Sequence, residues 1–494
     1  MNVEDVGQKE IEVRATLFPW PHCKMAGICL ILTMALSQAT AMDVFETQRQ
    51  ISQTAAGDMR PDDAICSFAS VGEPLTLQEA VERALCNNSQ TRQAWVRVKV
   101  QAAEVGISKA AYLPTVAVSA QGVHDESGVR VAAHPGLSSS TRTNVLTPSV
   151  SLSWVLYDFG GRDAGLRNAT ELLAAAQANH EATLQTVFAA VTKDFYAAQG
   201  AQGAMEASVE IERSAKGSFE AASARVNKGV APVSDALQAQ TAFAQATFNR
   251  AKAQGDWQVA LGVLASDMNL RPDSGLRLPA VEDGVKPDTS YNASVSELIT
   301  QAEHDHPSMR EAVAQLRAAE AKVEQTQADG SPSISFAAKS SRNNQPVSPS
   351  LGQPQYPATG RDWSVAVQIN IPLFEGFARS YQVQQARAQA ELQQVAIDQT
   401  RDQVGLNVWT SYQALQTATQ NVANSAQLLE LALAAQQASQ DRYLAGVGNI
   451  LELLNSQSTL ATAKHQRLQA LTDWRAARLQ LASRLGKLGM WSLN

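Results

Sequence analysis

The chain repeats itself once, at a spacing that sets the scale of everything it can build. Leu156-Tyr-Asp-Phe-Gly-Gly-Arg162 returns 217 residues later as Leu373-Phe-Glu-Gly-Phe-Ala-Arg379. Arg225, Gly229, Asp235 and Gln240 return at the same spacing as Arg442, Gly446, Glu452 and Gln457. Arg92 and Pro114 match Arg310 and Pro332 one residue further on, and the extra residue falls in the loop-like stretches 121–147 and 339–361. Solenoid units recur every ~20–50 residues, so the 494 residues hold two copies of one large design. The repeats span 75–270 and 293–486. Residues 42–74 precede them as an irregular segment, 271–292 link them through Pro272, Pro279 and Pro287, and 487–494 form a tail.

Each half reads as helix, strand, loop, strand, long helix, turn, helix. From Gly161 to Lys228 and from Ala378 to Ala445 there is no proline, and helices of that length reach about 100 Å. Leu184, Phe188, Val191 and Phe195 mark one seam at 4-3-4 spacing, and Leu471, Trp474, Leu481 and Leu485 another. Elsewhere the seam is mostly Ala. Hydrophobic residues make up 45% of the chain but aromatics only 6%, as suits helices packed through small residues.

The strand pairs alternate. Val365, Val367, Ile369, Ile371 and Leu373 are separated by Ala366, Gln368, Asn370 and Pro372, and Val150, Leu152, Trp154 and Leu156 follow the same rule. Shorter strands at Thr115–Ala120 and Ser333–Ala338 complete two hairpins. Period-2 alternation fits a membrane barrel strand, apolar toward lipid and polar toward a wet lumen; alternation alone also fits a half-buried sheet in a soluble protein. Four strands cannot close a barrel, since closure needs about eight. In lipid, several chains must pool them.

Met25 to Leu36 is a short apolar run preceded by Lys24 and followed by Ala39-Thr-Ala41. It reads as a signal peptide, residues 1–41, cleaved after Ala41; a short buried helix is the other reading. Glu4, Asp5, Glu10 and Glu12 are unusual in a leader and point to a later translation start. Cleavage removes Cys23 and Cys29 and leaves Cys66 and Cys86, which in an oxidising compartment read as one disulfide. No Cys follows the cleavage site directly, so no lipid anchor is expected. A net charge of −7 argues against a nucleic-acid partner. No Walker loop, HExxH or GxSxG occurs, so neither enzyme chemistry nor a cofactor is expected. His304-Asp305-His306, just before Pro307, reads as an ordinary helix start and not as a metal site.

The sequence resembles the TolC family of outer-membrane efflux and secretion proteins. The resemblance is carried by Leu75-Thr-Leu-Gln-Glu-Ala-Val-Glu-Arg-Ala-Leu85, Tyr112-Leu-Pro-Thr115, Leu156 to Arg162, Asn370 to Arg379 and Arg442-Tyr-Leu-Ala-Gly446. It implies a mainly α protein with membrane β structure: a homotrimer with a twelve-stranded β-barrel, four strands per chain, above a long-helix α-barrel. It also implies an outer-membrane location in a Gram-negative bacterium, contact with outer-membrane lipid, a periplasmic adaptor and an inner-membrane transporter. Cys66, Ala84-Leu-Cys-Asn-Asn88 and Thr91-Arg-Gln-Ala-Trp95 resemble the branch serving type I protein secretion, which makes that transporter an ABC type. Efflux of small molecules is the alternative cargo, and a periplasmic coiled-coil scaffold is the alternative class.

The two helix turns, capped by Gly229 and Gly446, are then the periplasmic tips, with Pro232 opening the following helix. By resemblance, Asp235 and Tyr443 match a polar network linking neighbouring helices, and Glu452 an acidic ring in the constriction. Gly448 and Asn455 depart from the family pattern, standing in place of an arginine and a second acid. A weaker lock and a single acidic ring are expected. As a residue alone, Glu452 fits either a pore lining or a solvated helix face.

Overall fold

In the computed structural model, the described residues are 43–59, 66–68, 70–280, 294–347 and 356–489. The signal peptide, most of the linker and the end of the tail lie outside them. Residues 43–46 belong to a separate compact unit from the body that starts at Thr47.

The order of elements repeats as the sequence does. The first half runs α1 (Leu77–Asn87), α2 (Ser89–Ala110), β1 (Thr115–Val129), β2 (Ser139–Tyr157), α3 (Gly161–Asn227) and α4 (Val233–Asp267). The second runs α5 (Val295–Asp305), α6 (Pro307–Ala328), β3 (Ser333–Asn343), β4 (Gly360–Asn370), α7 (Ala378–Leu444) and α8 (Ile450–Arg484). Where one helix was expected to open each half, there are two. The break falls at Asn88 and at His306, repeat mates whose side chains accept hydrogen bonds from Gln90 N and Ser308 N. Each ends one helix and caps the next.

The four strands form one antiparallel sheet in the order β1-β2-β3-β4. β1 runs nine residues beyond the expected Ala120, carried by polar cross-strand pairs: His124 with Asn144, and Glu126 with Arg142 at 2.7 Å. β3 likewise continues past Ala338, to Asn343. β4 stops at Asn370, so Ile371 and Leu373 lie beyond it. Pro372, which has no N–H to donate, closes the ladder there.

Strand meets helix through a repeated corner. Phe159 and Gly160, and Gly376 and Phe377, take the left-handed conformation and turn the chain sharply. An arginine four residues after a carboxylate then fastens each corner. Arg162 donates to Asp158 and to the carbonyls of Val155 (2.7 Å) and Ala111. Arg379 donates to Glu375 and to the carbonyls of Thr326 and Asp329. Each arginine thereby ties its corner to the C-terminal end of α2 or α6.

The largest core lies midway along α3. Leu184, Phe188, Val191 and Phe195 are buried there against Leu75, Val81 and Leu85 from α1 and its approach, and against Leu261 and Leu264 of α4 and Met268 at its C-cap. Fully burying such a side chain stabilises by about 1.5–3 kcal/mol. Leu471 and Trp474 of α8 pack with Val422 of α7 in a second cluster, and Leu481 and Leu485 with Leu298 and Val408 in a third. Both seams expected from the sequence are therefore buried. Cys66 and Cys86 form the expected disulfide, with Cα atoms 5.7 Å apart, and join the segment before α1 to the first core.

Where α4 ends in that core, Asp267 meets Asp194 of α3. Burial, with the Asp194 carboxyl beside it, pushes Asp267 up to about 7. A raised folded-state pKa means that stability is fully present below the unfolded value near 3.8 and is lost as pH rises through about 7. Thermal stability is expected to fall between about pH 4 and pH 7, the interval those two values bound, and Asp267→Asn should flatten that fall in a melting series. Cys86→Ser is expected to cost about 3 kcal/mol through lost loop closure, read as a lower denaturation midpoint.

Candidate functional site

Two features of this architecture can act on a solute: the sheet and the helix-turn tips. The register gives the sheet two unlike faces. On one, Val116, Leu152, Ala338 and Val365 stand in a row, beside a row of Val118, Val150, Ser340 and Trp363, and Trp154 meets Phe336 and Val367. Most of these side chains are exposed, Trp363 by 80% and Val118 by 74%, and a contiguous exposed apolar patch of this kind marks a membrane or partner surface. On the other face the rows read Ala117, Ser151, Lys339, Ser364 and Ser119, Ser149, Ser341, Asp362. One Lys and one Asp balance among small hydroxyls.

At the tips, both long helices end alike. Gly229 and Gly446 have positive φ, and the following residues donate back five positions, Val230 N to Arg225 O and Val447 N to Arg442 O. This is the glycine-terminated helix end that exploits the absence of a Cβ. Pro232 sits at the N-cap of α4 and not inside its first turn. At the second tip Asn449 is the N-cap of α8, its side chain accepting from Leu451 N.

The structure brings the two tips together through Arg225. Its guanidinium donates to Tyr443 O at 2.6 Å and lies 4.9 Å over the Tyr443 ring. Tyr443 is buried among Ala222, Ala239, Ile450 and Leu453, and its hydroxyl has no hydrogen-bond partner. Burial pushes the phenol up, the Arg225 charge opposes the shift and Asp235 adds to it. Glu452 lies 3.5 Å from the Arg442 guanidinium, while Asn455 is exposed one turn further along α8. The sequence places Arg225 and Arg442 at the start of the two helix turns, without assigning either a partner. What the sequence does not show is that Arg225 reaches across to the second tip.

Gly448 has a steric reason to be glycine here. A Cβ would stand 2.8 Å from Tyr443 N and 2.9 Å from Arg442 C, both backbone atoms that cannot swing away, while Gly448 N donates to Arg442 O. Gly448→Ala is expected to spring this turn, and limited proteolysis should cut near residue 448 in the variant and not in the parent. Resistance equal to the parent's would show that the turn has room.

Among the described residues no group of His, Cys, Asp and Glu could hold a metal ion. His304 pairs only with its neighbour Asp305.

Long paired helices, a corner into a four-stranded sheet and an apolar outward sheet face define the class of outer-membrane channels built from several chains. The family model for outer membrane efflux proteins matches residues 80–268 and 298–487, one match per repeat, and the chain belongs to that family. It is similar to protein CyaE of Bordetella pertussis, 32% identical over 422 residues, 85% of this chain and 86% of that one. It is similar also to the probable efflux pump outer membrane protein TtgC of Pseudomonas putida, 26% identical over 80% of this chain and 81% of that one. Its fold matches the CmeC outer membrane channel of Campylobacter jejuni with TM-score 0.72 at 15% identity, covering 86% of this chain and 91% of that one. The open-state MtrE channel of Neisseria gonorrhoeae matches with TM-score 0.69 at 20% identity, covering 86% and 94%. Membership makes the protein an outer-membrane channel extending into the periplasm, not an enzyme and not a coiled-coil scaffold. Channels of this family are trimeric and work with adaptors and inner-membrane pumps.

Proposed function

We propose that three copies of this chain form the passive exit duct of a type I protein secretion system, opened at its helix tips by an adaptor and an ABC transporter. The observation that carries the duct is the two-faced sheet. β1 and β4 each pair on one side only, and hydrocarbon does not tolerate their free N–H and C=O groups, so β4 of one copy must meet β1 of the next. Three sheets then close twelve strands, apolar outside and hydroxyl-lined inside.

Type I secretion is favoured over efflux by the resemblance of Cys66, Ala84–Asn88 and Thr91–Trp95 to that branch. These residues form one structural unit. Cys86 is in the disulfide, Asn88 donates to Asp267 O, Thr91 donates to Asn88 O, and Trp95 donates to Ser52 O. They hold the segment before α1 against the helices. The efflux reading draws on the similarity to TtgC. Deleting the gene separates the two: loss of a released polypeptide supports secretion, and sensitivity to detergents and antibiotics with release intact supports efflux.

At the tips, Asp235 and Tyr443 belong to a polar network that links neighbouring helices, with the Tyr443 hydroxyl buried at rest. Glu452 contributes one carboxylate per chain to the constriction, partly neutralised at rest by Arg442. In single-channel recordings Glu452→Ala is expected to lower cation preference and Arg442→Ala to raise it. Unchanged reversal potentials in both variants would place Glu452 on a solvated helix face.

A further inference from the structure

The outward face of the β3-β4 hairpin ends, on the side away from the helices, in two opposed positive charges. Arg342 of β3 and Arg361 of β4 are direct cross-strand partners in an unbroken register. Both share the face of Ala338, Val365 and Trp363, and both are exposed. Like charges directly opposite across a ladder are destabilising. A chain that merely needed solubility there would alternate signs.

Nothing nearby offsets the charge. Residues 343–360, which join the two arginines, contain no charged residue at all. Among the described residues neither guanidinium has a hydrogen-bonded or ion-paired partner. Asp362 belongs to the opposite face and accepts from Asn343 Nδ2. On the neighbouring hairpin Glu126 is already taken by Arg142. The position is equally specific. Arg361 lies eight residues along β4 from Ile369, about 27 Å of strand and, at a tilt of ~40°, about 20 Å of membrane depth, close to the height of a lipid-facing apolar band. Trp363, one step inside the arginines, is the amphipathic residue that favours such a boundary.

We propose that Arg342 and Arg361 form a binding site for the phosphate of a phosphorylated lipid in the outer leaflet. Two planar guanidiniums side by side offer paired donors that match phosphate oxygens. The anion relieves the repulsion between them, while the acyl chains lie along Trp363, Val365 and Val367. The site rests on the membrane reading of the sheet and adds to it a lipid class.

The test is native mass spectrometry of the protein released from detergent micelles that carry bisphosphorylated lipid A or its dephosphorylated form. The parent is expected to retain the phosphorylated lipid, and an Arg342→Gln/Arg361→Gln variant to retain it at least about tenfold less. Lys339→Gln, on the lumenal face, should retain as the parent does. Equal retention by the double variant, or equal retention of the dephosphorylated lipid, overturns the inference. So does displacement of the lipid by inorganic phosphate alone, which would make the pair a free-anion site. The oligomer mass in the same spectra reports separately on the channel: a trimer without lipid preference sinks this site and leaves the duct standing.

Discussion

A hydrogen-bonding backbone in hydrocarbon must satisfy itself, and the four-stranded sheet of this chain does not. Its outward face is too apolar for water, so it must sit in lipid; its two edge strands are open, so in lipid it cannot sit alone. That pair of demands fixes the rest. It sets a closed assembly of copies, it places the Ser-rich face on the inside, and it requires each strand pair to be delivered at a set height by rigid elements below. The long helices and the arginine-fastened corners are the means of delivery.

The helices in turn divide stability unevenly. The strongest packing lies midway along α3, where Phe188 and its neighbours are buried beside the disulfide-held segment. Toward the tips the cluster is smaller, with Ala222, Ala239, Tyr443, Ile450 and Leu453 buried, and polar contacts such as Arg225 to the Tyr443 carbonyl join it. Alanine seams give close approach without deep interlocking, so the tip end of each hairpin is held by fewer and more easily exchanged contacts than its middle.

Much of this was legible in the sequence. The limits of α3 and α7 were readable to within a residue, because proline is excluded from a helix interior and its absence over such a length leaves few alternatives. The repeat exposed the corners and both tip glycines. Less could be read where pairing partners decide the outcome. β1 continues through His124 and Glu126 because Asn144 and Arg142 face them, which no local alternation reveals. The breaks at Asn88 and His306 were hidden inside otherwise helical runs. At the tip, the approach of Arg442 to Glu452 depends on how the turn folds back, and the resemblance that singled out Glu452 did not give its neighbour.

The corners carry a mechanical consequence. Arg162 and Arg379 each bind a turn to the end of a neighbouring helix, so each long helix has an arginine clamp of its own at the corner, while at the tips Arg225 bridges α3 to α7. α3 has 67 residues, a lever of about 100 Å. A tilt of about 5° at the clamp, within the play of a few hydrogen bonds, carries the far end through about 9 Å at that length. An aperture worked by such levers needs no hinge in the wall and no unfolding: small changes of pitch at the membrane become a wide change of bore at the other end.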